Sequence, residues 1–266
     1  MKPIAVFDSG VGGISVLGEL VKILPNENFI YYGDSKNAPY GTKTLEEVRK
    51  LTCEHARRLL FEENCKGLVV ACNTATSAAV RKLREIYPEV PIVGIEPAVK
   101  PAVLCRVHPK VLVMATPMTV SQEKFRALMA RYEDQGEIIP LPCPGLMNFV
   151  ERGDLEGDDL RKYLTELLFE YRDNKVDAVV LGCTHYPFAR KLIQEILGEK
   201  VQVFDGAEGT AREMKRRLQQ AGLLENGGKP GAVRFENSLE GQENREKILL
   251  CEQLFTKILY EICTID

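Results

Sequence analysis

The sequence predicts an α/β fold in two similar halves, and three observations predict it. Short β-branched apolar runs alternate with segments of helical period along most of the chain, the pattern of parallel βαβ units. The alternation then starts again: strand-like runs beginning at 4, 68 and 91 recur at 111, 178 and 201, at offsets of 107, 110 and 110 residues. Finally, two of these runs, Val69-Val70-Ala71-Cys72-Asn73-Thr74 and Val179-Val180-Leu181-Gly182-Cys183-Thr184-His185, end on a cysteine followed by polar side chains and then a helical pattern.

The first unit is the strand Ile4 to Phe7, the loop from Asp8 and Ser9 through Gly13, and an amphipathic segment stopped by Pro25. A second strand, Phe29 to Tyr32, leads through Asp34, Pro39, Tyr40 and Gly41 into a long helix from about Thr44 to Glu63. Leu68 to Ala71 leads to Cys72 and a helix ending near Pro88, and Pro91 to Ile95 leads to Glu96-Pro97. In the second half, Val111 to Ala115 leads to Thr116, Ile138 to Leu141 to a Pro-Cys-Pro-Gly loop, Ala178 to Leu181 to Cys183, and Val201 to Phe204 to Asp205-Gly206. A basic helical segment, Thr210 to Gln220, a Gly-rich connection, a strand Val233 to Glu236 and a helix near Asn244 to Ile262 follow. This tail has no counterpart after the first half and is expected to return to it. The expected domains are therefore 1–97 plus 208–266, and 98–207. Arg212, Lys215, Arg216 and Arg217 read as a solvated helix face.

With 45% hydrophobic and 27% charged residues among 266, the composition is that of an ordinary globular protein. A net charge of -3 gives no electrostatic footprint for nucleic acid, so no nucleic-acid partner is expected. No stretch approaches the length of a membrane span, and the chain enters its first strand within a few residues instead of a signal peptide. A cytoplasmic protein with no membrane association is the expectation, without an N-terminal extension that would hold an additional regulatory site. Eight irregularly spaced cysteines are expected to be free thiols. Cys53, Cys251 and Cys263 fall in helical patterns and read as small packed hydrophobes.

Cys72 and Cys183 differ in context. A cysteine at a strand's carboxyl end, where α/β sheets bind ligands, meets the free N–H groups of the next helix, and that setting favours the thiolate. A buried structural thiol is the plain alternative for one such site; two at matching places weigh against it. Cys72, Cys143, Cys183 and His185 are also conceivable zinc ligands, but no close Cys or His pair of the usual kind is present, and no metal is expected. A Cys-His-Asn hydrolase would leave one cysteine without a role. The Gly10–Gly13 loop fits neither nucleotide motif, though its backbone N–H groups suit a small carboxylate. Ser9 and the hydroxyls of Thr74, Thr76, Thr116, Thr119 and Thr184 each have helix capping as their alternative use. Two opposed thiols suit inversion of a stereocentre: one removes a proton from one face of a carbon, the other delivers one to the opposite face.

Phe7-Asp-Ser-Gly-Val-Gly-Gly13, Asp34 with Pro39-Tyr-Gly41, Val70-Ala-Cys-Asn-Thr-Ala-Thr76 and Leu181-Gly-Cys-Thr-His-Tyr-Pro187 together resemble the bacterial glutamate racemase family. The resemblance covers nearly the whole chain. It implies two pseudosymmetric α/β domains with mainly parallel sheets, the active site in the cleft between them, and cofactor-independent interconversion of L- and D-glutamate for peptidoglycan. It implies Cys72 and Cys183 as the acid/base pair, supported by Asp8, His185 and Glu151. Substrate contacts would come from Asp8, Ser9, Tyr40, Gly41, Asn73, Thr74, Thr116, Thr184 and His185. A homodimer is the expected assembly. The rival readings are a racemase of another acidic amino acid, such as aspartate, and a non-catalytic amino-acid-binding protein.

Overall fold

The β-branched runs pair into two sheets in which every strand is parallel to its neighbours, and helices cover them. The computed structural model describes residues 2–265, with side chains through residue 261, so the side chain of Cys263 lies outside the described residues.

In chain order the first stretch gives β1 (Ile4–Asp8), α1 (Ile14–Ile23), β2 (Phe29–Gly33), α2 (Leu45–Arg57), β3 (Gly67–Val70), α3 (Asn73–Ile86) and β4 (Ile92–Gly94). There follow α4 (Val99–Val103), β5 (Lys110–Ala115), α5 (Pro117–Ser121), α6 (Glu123–Ala130), β6 (Glu137–Pro142), α7 (Leu146–Glu151), α8 (Asp158–Leu167), β7 (Ala178–Leu181), α9 (Arg190–Leu197) and β8 (Gln202–Asp205). The chain closes with α10 (Ala207–Gln220), β9 (Val233–Asn237) and α11 (Gly241–Ile265). Two units result, Met1–Glu96 with Ala207–Asp266, and Pro97–Gly206.

The sheet of the first unit has the order β4-β3-β1-β2-β9 and that of the second β6-β5-β7-β8. Read from β8, the second order is β8-β7-β5-β6, strand for strand that of β4-β3-β1-β2. β9 extends the first sheet by pairing with β2 from Phe29↔Val233 to Gly33↔Asn237. Strands β1, β2, β3 and β7 are buried at every residue, because a parallel strand with helices on both faces has no wet side. In the second unit alternate residues serve opposite layers: Leu112, Met114, Val179 and Leu181 join one core and Val111, Val113, Ala178 and Val180 the other.

Register decides what leaves the sheets together. Asp8 pairs with Gly33 and Phe7 with Val70, so Asp8, Asp34 and the Ala71-Cys72 step emerge at one edge of the first sheet. Leu181 pairs with Met114 and with Asp205, which brings Thr116 and Cys183 to the corresponding edge of the second. Two glycines permit close approach there. A Cβ on Gly13 would lie 2.7 Å from the Cβ of Asp8, and one on Gly182 would lie 2.7 Å from the Met114 carbonyl oxygen.

Local chemistry sets the element ends. Thr44 starts α2 with a capping box, its hydroxyl accepting from the Glu47 N–H while the Glu47 carboxylate accepts from the Thr44 N–H. The single helix expected to Glu63 ends its regular part at Arg57 and continues as one wider turn, Arg58–Glu62. The basic run on α10 pairs with its own helix: Arg212 with Glu208, and Arg216 and Arg217 with Glu213. None of the described cysteines is in a disulfide.

Because the Gly182 N–H donates to that same Met114 carbonyl at 2.8 Å, an added methyl group must push β5 and β7 apart. Gly182→Ala is expected to destabilise the protein by about 1–3 kcal/mol in denaturant unfolding. An unchanged midpoint would mean that the strand ends are loose enough to absorb a methyl group.

Candidate active site

In the first unit Cys72, 6% exposed, is placed by the buried strand β3 at the N-cap of α3. Its sulfur accepts the Ala75 N–H at 3.5 Å, one of the donors that a helix start leaves over. A cysteine thus occupies the position usually held by Ser or Asp, and the helix dipole favours its anion. Thr76 does not cap; its hydroxyl donates to the Val70 carbonyl at 3.0 Å and ties the helix to the end of β3. Asn73 and Thr74 are buried beside the thiol, and the Asn73 Oδ1 has no hydrogen-bond partner.

At the end of β1, Asp8 is wholly buried and its Oδ1 accepts the Gly10 N–H at 2.9 Å. Ser9 is buried too, and since α1 begins only at Ile14 with Gly13 at its N-cap, Ser9 is no helix cap. Tyr40 is 1% exposed, and its hydroxyl donates to Asp34 Oδ2 at 2.7 Å, while Gly41 follows it in a short turn, Tyr40–Thr42. Burial above all, then the Asp34 carboxylate, pushes the Tyr40 phenol far up, with the charges of Cys72 and Asp8 adding to the effect. It remains a neutral donor.

In the second unit Cys183 follows β7 and is 9% exposed. Sequence reasoning expected a helix to begin right after both thiols, and here the structure corrects it. After Cys183 comes a single short turn, Tyr186–Ala189, with Pro187 at its start, and α9 begins only at Arg190. Proline resists helical conformation in the residue before it, which delays the helix. Cys183 therefore has no α-helix N-terminus and relies on side chains. His185 Nδ1 lies 3.6 Å from the Cys183 sulfur, and its Nε2 lies 2.8 Å from Glu151 Oε1, at the end of α7. Burial would lower the His185 pKa, but hydrogen bonds to Cys183 and Glu151 outweigh it and hold the imidazole well above its usual value. A protonated ring can then donate to thiolate and carboxylate at once.

Thr184 is buried next to this chain of contacts. Thr116 is half-buried and does cap, accepting the Thr119 N–H at 3.3 Å at the start of α5. Cys143 is buried nearby, where burial first and the Cys183 charge second push its thiol up to about 12, so it stays protonated. Among the described residues no group of three or more His, Cys, Asp or Glu side chains is arranged to hold a metal ion, and no helix is long and apolar enough to cross a membrane. Each unit thus gathers the expected residues at its own sheet edge: Asp8, Ser9, Tyr40, Gly41, Cys72, Asn73 and Thr74 in the first, Thr116, Glu151, Cys183, Thr184 and His185 in the second.

A family model described as Asp/Glu/Hydantoin racemase matches residues 12–214. The chain belongs to this racemase family. Among its relatives, a glutamate racemase of Clostridium perfringens is 52% identical over 241 residues, covering 91% of this chain and 92% of that one. A glutamate racemase of Clostridium novyi is 52% identical over 246 residues, covering 92% and 95%. The fold matches the crystal structure of Escherichia coli glutamate racemase in complex with L-glutamate and the activator UDP-MurNAc-ala, with a TM-score of 0.83 at 27% identity and 96% of each chain covered. It also matches the Francisella tularensis glutamate racemase in complex with D-glutamate, with a TM-score of 0.80, 28% identity, and 96% and 94% coverage.

For this racemase the sequence analysis missed His55 and Asn37, which sit against Asp34. His55 lies in the last turn of α2 with nothing in its neighbours to mark it; its distance from Asp34 in the chain hid the pair.

The raised His185 pKa has a consequence for stability. A folded-state value above the unfolded value of about 6.5 contributes stability that is fully present below that pH and is lost as pH rises through the folded value. In Glu151→Gln the imidazole loses its charged partner, so this contribution should be smaller and its loss complete at lower pH than in the wild type. Thermal unfolding across the neutral to alkaline range measures it, and superimposable pH profiles would exclude a charged His185.

Proposed function

We propose that the chain interconverts L- and D-glutamate without a cofactor, with Cys72 and Cys183 passing protons at opposite faces of one α-carbon. The observation that carries this reading is the recurrence of a buried thiol after β3 and β7, strands that hold the same place in the two sheet orders, each thiol with its own polar support. The names of the relatives and the glutamate complexes of the matching structures support the substrate.

The chemistry follows from these side chains. One thiolate takes the α-proton while the opposite thiol gives one up, and in the reverse direction they exchange roles. Each must serve as base for one enantiomer and as acid for the other. Positioned proton transfer supplies about 10²–10⁴-fold, so the larger part must come from hydrogen bonds that strengthen as negative charge grows on the substrate carboxylate in a dry site. Thr74, Thr116, Thr184 and the backbone N–H groups at the start of α3 and along the Gly10–Gly13 loop suit that task. The unpartnered Oδ1 of Asn73 suits an ammonium group, as does the Asp8 carboxylate. Glu151 and His185 hold Cys183 in readiness for either role. Supply of D-glutamate to peptidoglycan, a cytoplasmic location and a homodimeric assembly belong to the same proposal.

Purified protein should carry either enantiomer of glutamate to zero optical rotation, faster than it does aspartate, and added pyridoxal phosphate or EDTA should leave the rate unchanged. Cys72→Ala and Cys183→Ala should each lower racemisation by at least about 10²-fold. Full activity in either variant ends the two-thiol reading; inertness toward both amino acids, with binding retained, favours ligand capture.

A further inference from the structure

Asp34 is fully buried where β2 ends, and three side chains converge on its carboxylate. The Tyr40 hydroxyl donates to Oδ2 at 2.7 Å, the Asn37 amide reaches both oxygens at 3.0 and 3.1 Å, and His55 Nε2 lies 3.0 Å from Oδ2. Burial would raise this carboxyl, but the His55 imidazole beside it and the Tyr40 hydroxyl bond outweigh it and hold it at about 2. His55 is fixed in turn by the rings of Tyr32 and Phe7, at 4.9 and 5.6 Å between centroids. A buried carboxylate is costly unless its partners are in place, so such a cluster has essentially one arrangement.

That arrangement faces the first thiol. The Asp34 N–H donates to the Asp8 carbonyl at 3.0 Å, and the Tyr40–Thr42 turn packs against α3, the helix that Cys72 caps. The phenol stands near enough to feel the charges of Cys72 and Asp8. Its hydroxyl is already committed to Asp34, which leaves the ring and the backbone of Tyr40 and Gly41 for a ligand.

We propose that His55 and Asp34 form a tether that positions the Tyr40–Gly41 turn beside Cys72, acting as positioning residues and not as proton-transfer groups. Its kinetic consequence rests on the racemase reading, but its effect on the thiol does not. With the tether cut, the turn loosens, Cys72 becomes accessible, and the substrate loses a preformed contact surface while both thiols stay chemically intact.

The test compares His55→Leu, which removes the donor, with His55→Gln, which keeps one. Iodoacetamide labelling, read peptide by peptide, should modify Cys72 about tenfold faster in His55→Leu, the scale of one charge-assisted hydrogen bond, with Cys183 labelling unchanged as the internal control. His55→Gln should label like the wild type. In the same proteins KM for both enantiomers should rise about tenfold in His55→Leu with kcat within about threefold, and His55→Gln should restore KM. A folded His55→Leu with wild-type labelling and wild-type KM overturns the tether. If the wild type itself does not racemise glutamate, the racemase reading fails alone and the labelling still decides the tether. Should His55→Leu fail to fold, Tyr40→Phe removes a single hydroxyl and is judged by the same labelling.

Discussion

A buried thiol can carry a proton in either direction only if its surroundings tolerate the anion as well as the neutral form. Burial by itself disfavours the anion, as Cys143 shows, its thiol pushed up to about 12 chiefly by desolvation. Cys72 and Cys183 are buried as well, so the acid/base role proposed for them depends on compensation supplied from nearby. Parallel strands provide it: they deliver side chains and helix starts to the same sheet edge, because every strand ends in the same direction.

The two halves share a strand order but not a means of support. Cys72 takes a backbone N–H at the start of a fourteen-residue helix, whereas Cys183 takes an imidazole held by Glu151. The first is a fixed dipole; the second is a titratable group with a charged partner. Since two enantiomers have equal free energy in water, kcat/KM is the same in both directions for any racemase, so unlike supports for the two thiols can show only in the separate kcat and KM values of the two enantiomers.

Much of this was legible in the sequence because parallel strands buried on both faces must be continuously apolar. Ile4 to Phe7, Leu68 to Ala71 and Ala178 to Leu181 fall on β1, β3 and β7 within one residue at each end. The cysteines were legible from their place after such runs. Shorter-range geometry was less so. The delay of α9 depends on how Tyr186 and Pro187 turn the chain, which the apolar pattern does not encode. The start of α2 near Thr44 was legible, but the wider turn at Arg58–Glu62 within the same helical pattern left no mark. His55 and Asp34, 3.0 Å apart in space, are separated in sequence by a loop and most of a helix, and no local rule joins them.

The proposed mechanism requires two different groups, one for each face of the α-carbon. The most direct measurement is the isotopic content of both enantiomers in the first few per cent of reaction, starting from unlabelled L-glutamate in D₂O. With two bases, the newly formed D-glutamate carries deuterium at Cα while the remaining L-glutamate stays unlabelled, because the proton removed by one thiol is not the one returned by the other. Deuterium entering the L-glutamate pool as fast as D-glutamate forms would mean that one group serves both faces, and would rule out the two-thiol mechanism.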